Sequence, residues 1–451
     1  MIVFFPLTLS GQELTLSQCR EMALQNNKQV AIAAKNREKA ALTVKAYRAN
    51  YMPKLSAQGL GYFGNMNNDI KMKLGDISLF DPSALKLFVP QEYWGYLALL
   101  DNYSTFSLPE MSLNLKVREV YFAGASLQQP IYMGGKISSA YKMAKTGNDI
   151  AELAKELKRD EIILETDKAY WLCIQARELH KSAQKYKETV EEFCRVVKNA
   201  CENGMKPQND LMKVQVQLNK AELLVRRAEN GINLSLMNLC HIIGIPLLSE
   251  ISVSETISEQ LMTINPDADI FSRPEYAMLG KQIEFKEHEK KLVRSDFLPQ
   301  AGVSGGYNYL DGVKLNNEKI FHSGSFSAMV SVTVPLFHWG EGARKIKTAE
   351  TEIDIVRLQR DYLSEMMELE RYQIFNIYNE AVIEVELTLK IVEQSEENLK
   401  MSRNHYEAGM ETISDYLEAQ TILQNAQTEY IIAKTKLEIC KTEYLKVIGE
   451  L

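Results

Sequence analysis

Two glycine-rich segments of this chain have residue types that occur in nucleotide-binding loops. Residues 59–64 have the G-x-G-x-x-G spacing of a dinucleotide site. Such a site needs this spacing between a strand and a helix, so that the phosphates meet the helix N-terminus, whereas here it lies inside a run of alternating, strand-like residues. Gly134-Gly135-Lys136 lacks both the Ser or Thr and the upstream Gly spacing of a P-loop. Neither segment predicts a cofactor.

The side chains that most often bind metals or act as nucleophiles are scattered along the chain. No two of the six histidines stand three or four residues apart, and none of the six cysteines forms a C-x-x-C pair. Most of the cysteines fall inside helical patterns, which predicts free thiols. No G-x-S-x-G elbow or Cys–His nucleophile motif is present. We therefore predict no catalytic residue, no metal site and no enzymatic activity.

The composition excludes several classes of protein. The formal net charge of −7 argues against nucleic-acid binding, which usually requires a basic patch. Charged residues make up 25% of the chain, so wholesale disorder is not expected. No apolar run reaches the ~18–20 residues that span a bilayer as a helix. If the chain crosses a membrane, it must do so as a barrel.

The N-terminus begins with an apolar stretch that is followed by small and polar residues. This pattern resembles the end of a secretory signal, although the positively charged n-region is absent. We therefore predict that residues 1–13 are a signal-peptide remnant or tail. The alternative is a disordered or folded tail of the chain itself.

The chain is a tandem duplication. A shift of 205 residues aligns Pro130-Ile131-Tyr132 with Pro335-Leu336-Phe337, and Glu202-Asn203-Gly204-Met205 with Glu407-Ala408-Gly409-Met410, without a gap between them. One register kept over more than a hundred residues is not a chance match. The predicted organisation is a first repeat at 14–244, an inter-repeat segment at 245–272 and a second repeat at 273–451.

Each repeat has the order helix, strand, loop, strand, long helix, turn, helix. The four strands are predicted at 55–63, 120–129, 301–309 and 325–334. The last shows the clearest alternation, with one side formed by Phe326, Ala328, Val330, Val332 and Val334 and the other by Ser325, Ser327, Ser331 and Thr333. This period is typical of a transmembrane strand. Alternation alone leaves a strand of a soluble sandwich open.

Long helices follow the second strand of each repeat. They are predicted at 136–203 and 341–408, and each would be about 100 Å long at 1.5 Å per residue. The long helices and the shorter helices that return from them carry apolar residues at alternating steps of three and four, which predicts coiled-coil packing. An ordinary helical hairpin bundle would share this pattern. The predicted fold is therefore mainly α, with four strands per chain.

These motifs, and their duplication in order, resemble the TolC-type outer membrane efflux protein family over essentially the full chain. Segments 130–136 and 335–340 are similar to the family's strand-to-helix passage, and segment 406–420 is similar to its helical-hairpin tip. The passage residues are Pro130, Gly135, Pro335 and Gly340. The resemblance implies a homotrimer in the outer membrane, with one 12-stranded transmembrane barrel and a coiled-coil helical tunnel that extends into the periplasm.

The resemblance also implies partners and site residues. The expected partners are outer-membrane lipid, a periplasmic adaptor (membrane fusion protein) and an inner-membrane pump, with no nucleic acid and no cofactor. The tip turns that relatives use for adaptor contact are Gly204, Met205, Gly409 and Met410, although a Gly that ends a helix has a structural reason of its own. The acidic ring expected at the tunnel entrance comprises Asp210, Asp415 and Glu418. The alternative for these acids is a solvated helix face.

Two features depart from the family pattern. Glu411 stands where some relatives have a basic residue in the gating network, so that this contact is absent or uses another partner. Lys213 stands in place of an acid and would weaken the ring. The first repeat also carries an insertion at 65–116, for which an external loop, a plug or a partner surface all remain open.

The sequence predicts a passive exit duct of a tripartite efflux or secretion system. Substrate would enter from the adaptor and pump and leave through the barrel, and no bond would be made or broken. The alternative is a soluble periplasmic coiled-coil scaffold or adaptor protein, which would explain the helices but leave the strand pairs without a purpose.

Overall fold

The computed structural model describes residues 10–72, 111–254, 262, 264–265, 269–315 and 318–451. The helices in these ranges are α1 (Leu16–Asn26), α2 (Lys28–Ala49), α3 (Lys136–Glu202), α4 (Gln208–Ile243), α5 (Pro274–Ser295), α6 (Glu341–Glu407) and α7 (Ile413–Ile448). The strands are β1 (Ser10–Leu14), β2 (Lys54–Met72), β3 (Met111–Met133), β4 (Glu250–Val253), β5 (Gln300–Leu315) and β6 (Glu318–Thr333). No helix among the described residues is long and apolar enough to cross a membrane.

The described residues form two compact units. The larger unit takes its residues from 1–44, 142–287 and 350–451, and the smaller unit from 45–141 and 288–349. The element order within each repeat is the predicted one, and the long helices α3 and α6 have 67 residues each. The strands extend beyond the predicted ranges, and the first predicted helix is interrupted at Asn27.

Much of the predicted coiled-coil stripe is buried in the larger unit, although Leu172 on α3, one of its predicted positions, is exposed. Eight of its predicted positions on α7 are buried: Tyr416, Ala419, Ala426, Ala433, Leu437, Cys440, Tyr444 and Val447. Both return helices end at a glycine in the left-handed conformation, Gly244 (φ 76°) and Gly449 (φ 75°). The six cysteines are free thiols, and burial raises the pKa of Cys173 and Cys440 to about 11.

A short parallel sheet joins the N-terminal segment to the inter-repeat segment. β1 pairs with β4, and Leu14 is buried at its end. The Tyr170 hydroxyl donates a hydrogen bond to Leu14 O at 3.1 Å. Residues 10–13 of the segment predicted as a signal remnant or tail therefore belong to a strand, whereas residues 1–9 lie outside the described residues.

Two tyrosine hydroxyls hold the described part of the inter-repeat segment against the larger unit. The Tyr378 hydroxyl accepts a hydrogen bond from Met262 N and donates one to Met262 O, both at 3.0 Å. The Tyr444 hydroxyl does the same with Asn265, at 2.9 and 2.7 Å. Each hydroxyl bonds to both the backbone N–H and the backbone C=O of one residue. This irregular segment is therefore held in place at those residues without pairing to a strand.

A buried carboxylate links three helices of the larger unit. Asp167 on α3 is 0% exposed in its side chain. Arg20 on α1 donates to both of its oxygens, from Nε at 2.7 Å and from Nη2 at 2.5 Å, and Thr442 on α7 donates from Oγ1 at 2.6 Å. The charge is therefore paired and hydrogen-bonded, which a buried carboxylate requires.

The smaller unit contains a four-stranded antiparallel sheet in the order β2-β3-β5-β6. The strands β2 and β6 form its two edges. The G-x-G-x-x-G segment lies within β2, as predicted. β2 and β3 extend into both ends of the 65–116 insertion, and residues 73–110 of that insertion lie outside the described residues.

Candidate functional site

The four-stranded sheet presents an apolar face to its surroundings. Strand register places residues in rows of four across the sheet, and two adjacent rows on this face are Leu55–Leu127–Gly305–Ala328 and Ala57–Ala125–Tyr307–Phe326. The large side chains of these rows are exposed: Leu55 is 76% exposed and Phe326 is 78% exposed. Val330 and Val332 continue the same exposed surface. A single chain leaves this face uncovered.

The opposite face of the sheet is polar. Its rows include Lys54–Gln128–Ser304–Met329, Ser56–Ser126–Gly306–Ser327 and Gln58–Gly124–Asn308–Ser325. Ser56 and Ser126 are joined by a hydrogen bond of 2.9 Å between their hydroxyl oxygens. In these rows the division into two faces holds across all four strands, although only β6 shows it clearly in its sequence. The next row of this face, Leu60–Phe122–Leu310–Ser323, is mostly apolar.

The edges of this sheet are open. Among the described residues, no further strand pairs with β2 or β6. In water, an exposed apolar face with unpaired strand edges would promote aggregation. In lipid, the unpaired backbone N–H and C=O groups would have no hydrogen-bond partners, which is energetically costly. Both problems are solved when sheets from several chains join edge to edge, with their apolar faces outward and their polar faces around a lumen.

The strand-to-helix passage of the first repeat depends on glycine. Gly134 (φ 61°) and Gly135 (φ 86°) connect β3 to α3. A Cβ on Gly134 would lie 2.6 Å from Ser295 O and 2.8 Å from Leu298 Cβ, so a larger residue would displace backbone. Sequence reasoning selected Gly135 and missed Gly134, because the close approach involves a segment far away in the chain.

The equivalent passage of the second repeat is more exposed. Gly340 has a φ of 78°, and Trp339 before it also has a positive φ, 49°. A side chain in this conformation is strained. Pro335 and Pro130 occupy equivalent places near the ends of β6 and β3, as the repeat predicts. The passage is therefore duplicated in backbone form but not in its surroundings.

The two helical-hairpin turns have the same geometry. Gly204 (φ 71°) ends α3 and Gly409 (φ 74°) ends α6, and Met205 N and Met410 N each donate to the carbonyl five residues earlier at 2.8 Å. The methionines are 77% and 76% exposed. Glycine is required here by conformation alone, since a Cβ would meet nothing within 4 Å. The exposed methionines have no such structural reason.

The carboxylates predicted for the entrance lie in the first two turns of α4 and α7. Asp210 is half-buried, whereas Asp415 and Glu418 are exposed. Lys213 connects the two hairpins: its Nζ donates to Ser414 Oγ at 3.1 Å and lies 3.8 Å from Asp210 Oδ1. The acidic ring and its weakening by Lys213 stay predictions.

Asp415 caps α7. Thr412 donates to Asp415 Oδ2 from its backbone N at 2.9 Å and from Oγ1 at 2.7 Å, and Thr412 Oγ1 accepts from Asp415 N at 3.3 Å. These bonds from Thr412 hold the pKa of Asp415 below its ordinary value, with a smaller contribution from Lys213. Sequence reasoning missed this cap, although Thr412-x-x-Asp415 has the spacing of a capping box.

Glu411 has partners on its own hairpin. Ser402 Oγ donates to Glu411 Oε2 at 2.5 Å, and His405 Nδ1 lies 3.0 Å from Glu411 Oε1. The hydrogen bonds from Ser402 and His405 hold the pKa of Glu411 below its ordinary value. Whether the gating contact is absent or uses another partner stays a prediction, because Ser402 and His405 belong to the same hairpin as Glu411.

An aromatic cluster lies behind the turns. The Phe193 ring is 4.6 Å from the Tyr416 ring and 5.5 Å from the Tyr406 ring, and the two tyrosine rings are stacked at 5.7 Å. Lys206 Nζ lies 4.8 Å above the Tyr406 ring. The cluster joins both hairpins through α3, α6 and α7. Phe193 and Tyr416 fall on the three-and-four spacing that predicted packing positions, whereas Tyr406 was named only as part of the hairpin-tip motif.

Acidification is expected to loosen the second turn. A carboxyl whose pKa is lower in the folded chain than in the unfolded chain stabilises the fold above the unfolded pKa, and this contribution is lost as pH falls through the folded pKa. For Glu411 and Asp415 the loss begins near the ordinary values of 4.5 and 3.8. Hydrogen exchange in the first turn of α7, corrected for intrinsic rates, should therefore rise between about pH 5 and pH 3.

A matched pair of variants separates this effect from general acid unfolding. Glu411→Gln should remove the part of the pH dependence that comes from Ser402 and His405. Glu397→Gln, which loses only a solvent-exposed pair with Lys400, should behave like the unaltered chain. Equal pH profiles for the unaltered chain and Glu411→Gln would contradict the assignment.

Comparison with known proteins gives a family and a fold. The family model described as "Outer membrane efflux protein" matches residues 19–244 and 272–449. No curated protein matches the chain. The two matched segments correspond to the two repeats.

Solved channel structures share the fold at low sequence identity. The CmeC outer membrane channel of Campylobacter jejuni has a TM-score of 0.76 at 17% identity, covering 96% of this chain and 85% of that chain. VceC of Vibrio cholerae has a TM-score of 0.72 at 15% identity, covering 96% of both chains. The open state of the MtrE outer membrane channel of Neisseria gonorrhoeae has a TM-score of 0.71 at 16% identity, covering 96% of this chain and 88% of that chain.

Proposed function

This chain belongs to the outer membrane efflux protein family, and on that premise we propose that three copies form a passive exit duct through the outer membrane. The observation that carries the proposal is the two-faced sheet with open edges. Four strands are too few to close a barrel around a lumen, but twelve strands from three chains suffice. The β6 edge of one copy would pair with the β2 edge of the next.

The duct continues as a helical tunnel that extends into the periplasm. The 67-residue helices α3 and α6 are each about 100 Å long, and their 36-residue return helices cover a little more than half of that length. The family and the solved channels with this fold are channel proteins, and we propose that this chain likewise makes and breaks no bond. Its work is to exclude lipid and conduct substrate.

The hairpin turns are proposed as the end that meets a periplasmic adaptor driven by an inner-membrane pump. Support comes from Met205 and Met410, which present equally exposed, flexible apolar side chains in both repeats. Methionine surfaces of this kind adapt to a partner's shape.

The acids near the turns are proposed to line the tunnel entrance. Three copies each of Asp210, Asp415 and Glu418 would attract cations and cationic substrates, and Lys213 would reduce that charge. Asp415 also belongs to the capping box of α7, so a substitution there would alter both charge and helix order. Glu418 is the cleaner test, because it is exposed and bonds to no other described residue.

Neutralising Glu418 should change ion selectivity without changing the fold. In planar bilayers, Glu418→Gln is expected to lower the cation-to-anion permeability ratio a few-fold, because one charge per chain leaves the entrance. Lys213→Gln should raise the ratio. Reversal potentials in a KCl gradient measure both. An unchanged ratio in Glu418→Gln would end the ring proposal and leave the duct intact.

The soluble scaffold is not favoured, because it would leave the apolar face of the sheet in water. Membrane fractionation of the full chain distinguishes the two functions. An exit duct should sediment with outer membranes and require detergent for release. Recovery as a detergent-free monomer would overturn the proposed function.

A further inference from the structure

A cavity of about 590 Å³ lies in the smaller unit, on the polar face of the sheet near the strand-to-helix passage. The polar row of Lys54, Gln128 and Ser304 forms one wall, and the end of α2 and the first turn of α3 complete it. Its volume is within the ~300–1,000 Å³ of sites that bind small organic molecules. The cavity is distant in sequence from the hairpin acids.

The charge of this cavity is positive. Its described lining includes two lysines and no Asp or Glu. Lys136 is already paired, with its Nζ 2.9 Å from Asp296 Oδ1. Lys54 makes no ion pair with any residue that the structure describes. One cationic group is therefore available to a ligand from the lumen side.

The lining also offers hydrogen-bonding groups and apolar surface. Gln128, Ser304 and Ser331 contribute polar side chains on the same face of the sheet as Lys54. Met133 and Leu292 contribute apolar wall.

We propose that this cavity binds organic anions of drug size as they pass from the tunnel into the barrel. The anionic group, a carboxylate or sulfonate, pairs with Lys54, and the apolar body of the ligand lies against Met133 and Leu292. The site rests on the proposed function, since the polar face meets substrate only if it lines the lumen. Its preference for anions is opposite to that proposed for the acidic entrance.

Equilibrium binding of naphthalene-2-sulfonate tests the site. Calorimetry would use the full chain in lipid nanodiscs, with empty nanodiscs to correct for partition into lipid. The sulfonate should bind at least about tenfold more tightly than the matched cation 2-naphthylmethylammonium, and Lys54→Gln should weaken sulfonate binding by about tenfold or more. Lys45→Gln, which removes a lysine outside the cavity lining, should leave it unchanged.

A second variant changes the volume of the cavity rather than its charge. Gly302 lines the cavity, and a Cβ there would make only ordinary contacts, the nearest at 3.5 Å to Gln129 O. Gly302→Val should therefore fold, narrow the cavity and weaken binding of both the sulfonate and the neutral 2-naphthylmethanol. Lys54→Gln should weaken the sulfonate alone.

The outcomes separate the site from the duct. Equal sulfonate affinity in the unaltered chain and Lys54→Gln, or equally tight binding of the ammonium, would overturn the anion site. A chain that conducts ions in bilayers but shows no Lys54-dependent binding would refute the site alone. A chain that binds the sulfonate in the predicted pattern but stays in the soluble fraction would refute the duct.

Discussion

Ala328→Arg is expected to abolish assembly in the outer membrane. Ala328 is exposed and shares an apolar row with Leu55 and Leu127, so the new charge would face lipid. An arginine on the lipid face near the bilayer midplane costs about 2–4 kcal/mol per chain. The cost is repeated in every copy of the trimer. The measurement is the amount of heat-resistant trimer in the outer-membrane fraction.

The adjacent residue provides the matched control. Ser327 lies on the same strand but in the polar row with Ser56, Ser126 and Gly306. Ser327→Arg should assemble to near normal levels and change only conductance, because its guanidinium would extend into a water-filled lumen. Equal loss of trimer in both variants would show that the faces are assigned wrongly. Normal assembly of Ala328→Arg would show that its face does not meet lipid.

Arg20→Met is expected to be the most destabilising single change in the larger unit. The variant leaves the Asp167 carboxylate, 0% exposed, with Thr442 as its remaining partner. Removing one member of a buried pair costs about 3–5 kcal/mol, and the partial exposure of Arg20 places the expected loss near 3 kcal/mol. The loss should appear as a lower midpoint temperature of thermal unfolding in detergent solution. It should also appear as faster hydrogen exchange of the α1 backbone amides.

Two controls isolate the buried charge as the cause. Arg20→Met combined with Asp167→Asn should recover much of the stability, because the neutral amide still accepts the Thr442 hydrogen bond without an unpaired charge. Arg195→Met breaks an exposed pair with Glu192 and should change stability by less than about 1 kcal/mol. A double variant no more stable than Arg20→Met would point to lost side-chain packing instead.

Local patterns in the sequence were sufficient to predict the helices and strands. Alternation along β6 predicted a two-faced strand, and the three-and-four spacing on α7 predicted eight of the sixteen residues that are buried on that helix. Gly204 and Gly409 correctly marked the ends of the two long helices. These features depend on residues within a few positions of one another, so a linear pattern records them.

Contacts between distant segments were decided by tertiary structure. Arg20 and Asp167 are 147 residues apart, and nothing near either residue indicates the other. Gly134 is needed because Ser295 approaches it, and Lys213 reaches Ser414 across two hairpins. A sequence repeat aligns equivalent positions of the two halves, but it does not state which side chains from the two halves meet.

The sequence by itself determined the duplication, the order of helices and strands, and the family resemblance, because each follows from composition, period or motif along one chain. Only the tertiary structure decided the register that pairs the apolar rows of the four strands, the contact of Arg20 with Asp167, and the cavity beside Lys54. Those features arise where elements pack, and packing depends on shape and charge in three dimensions.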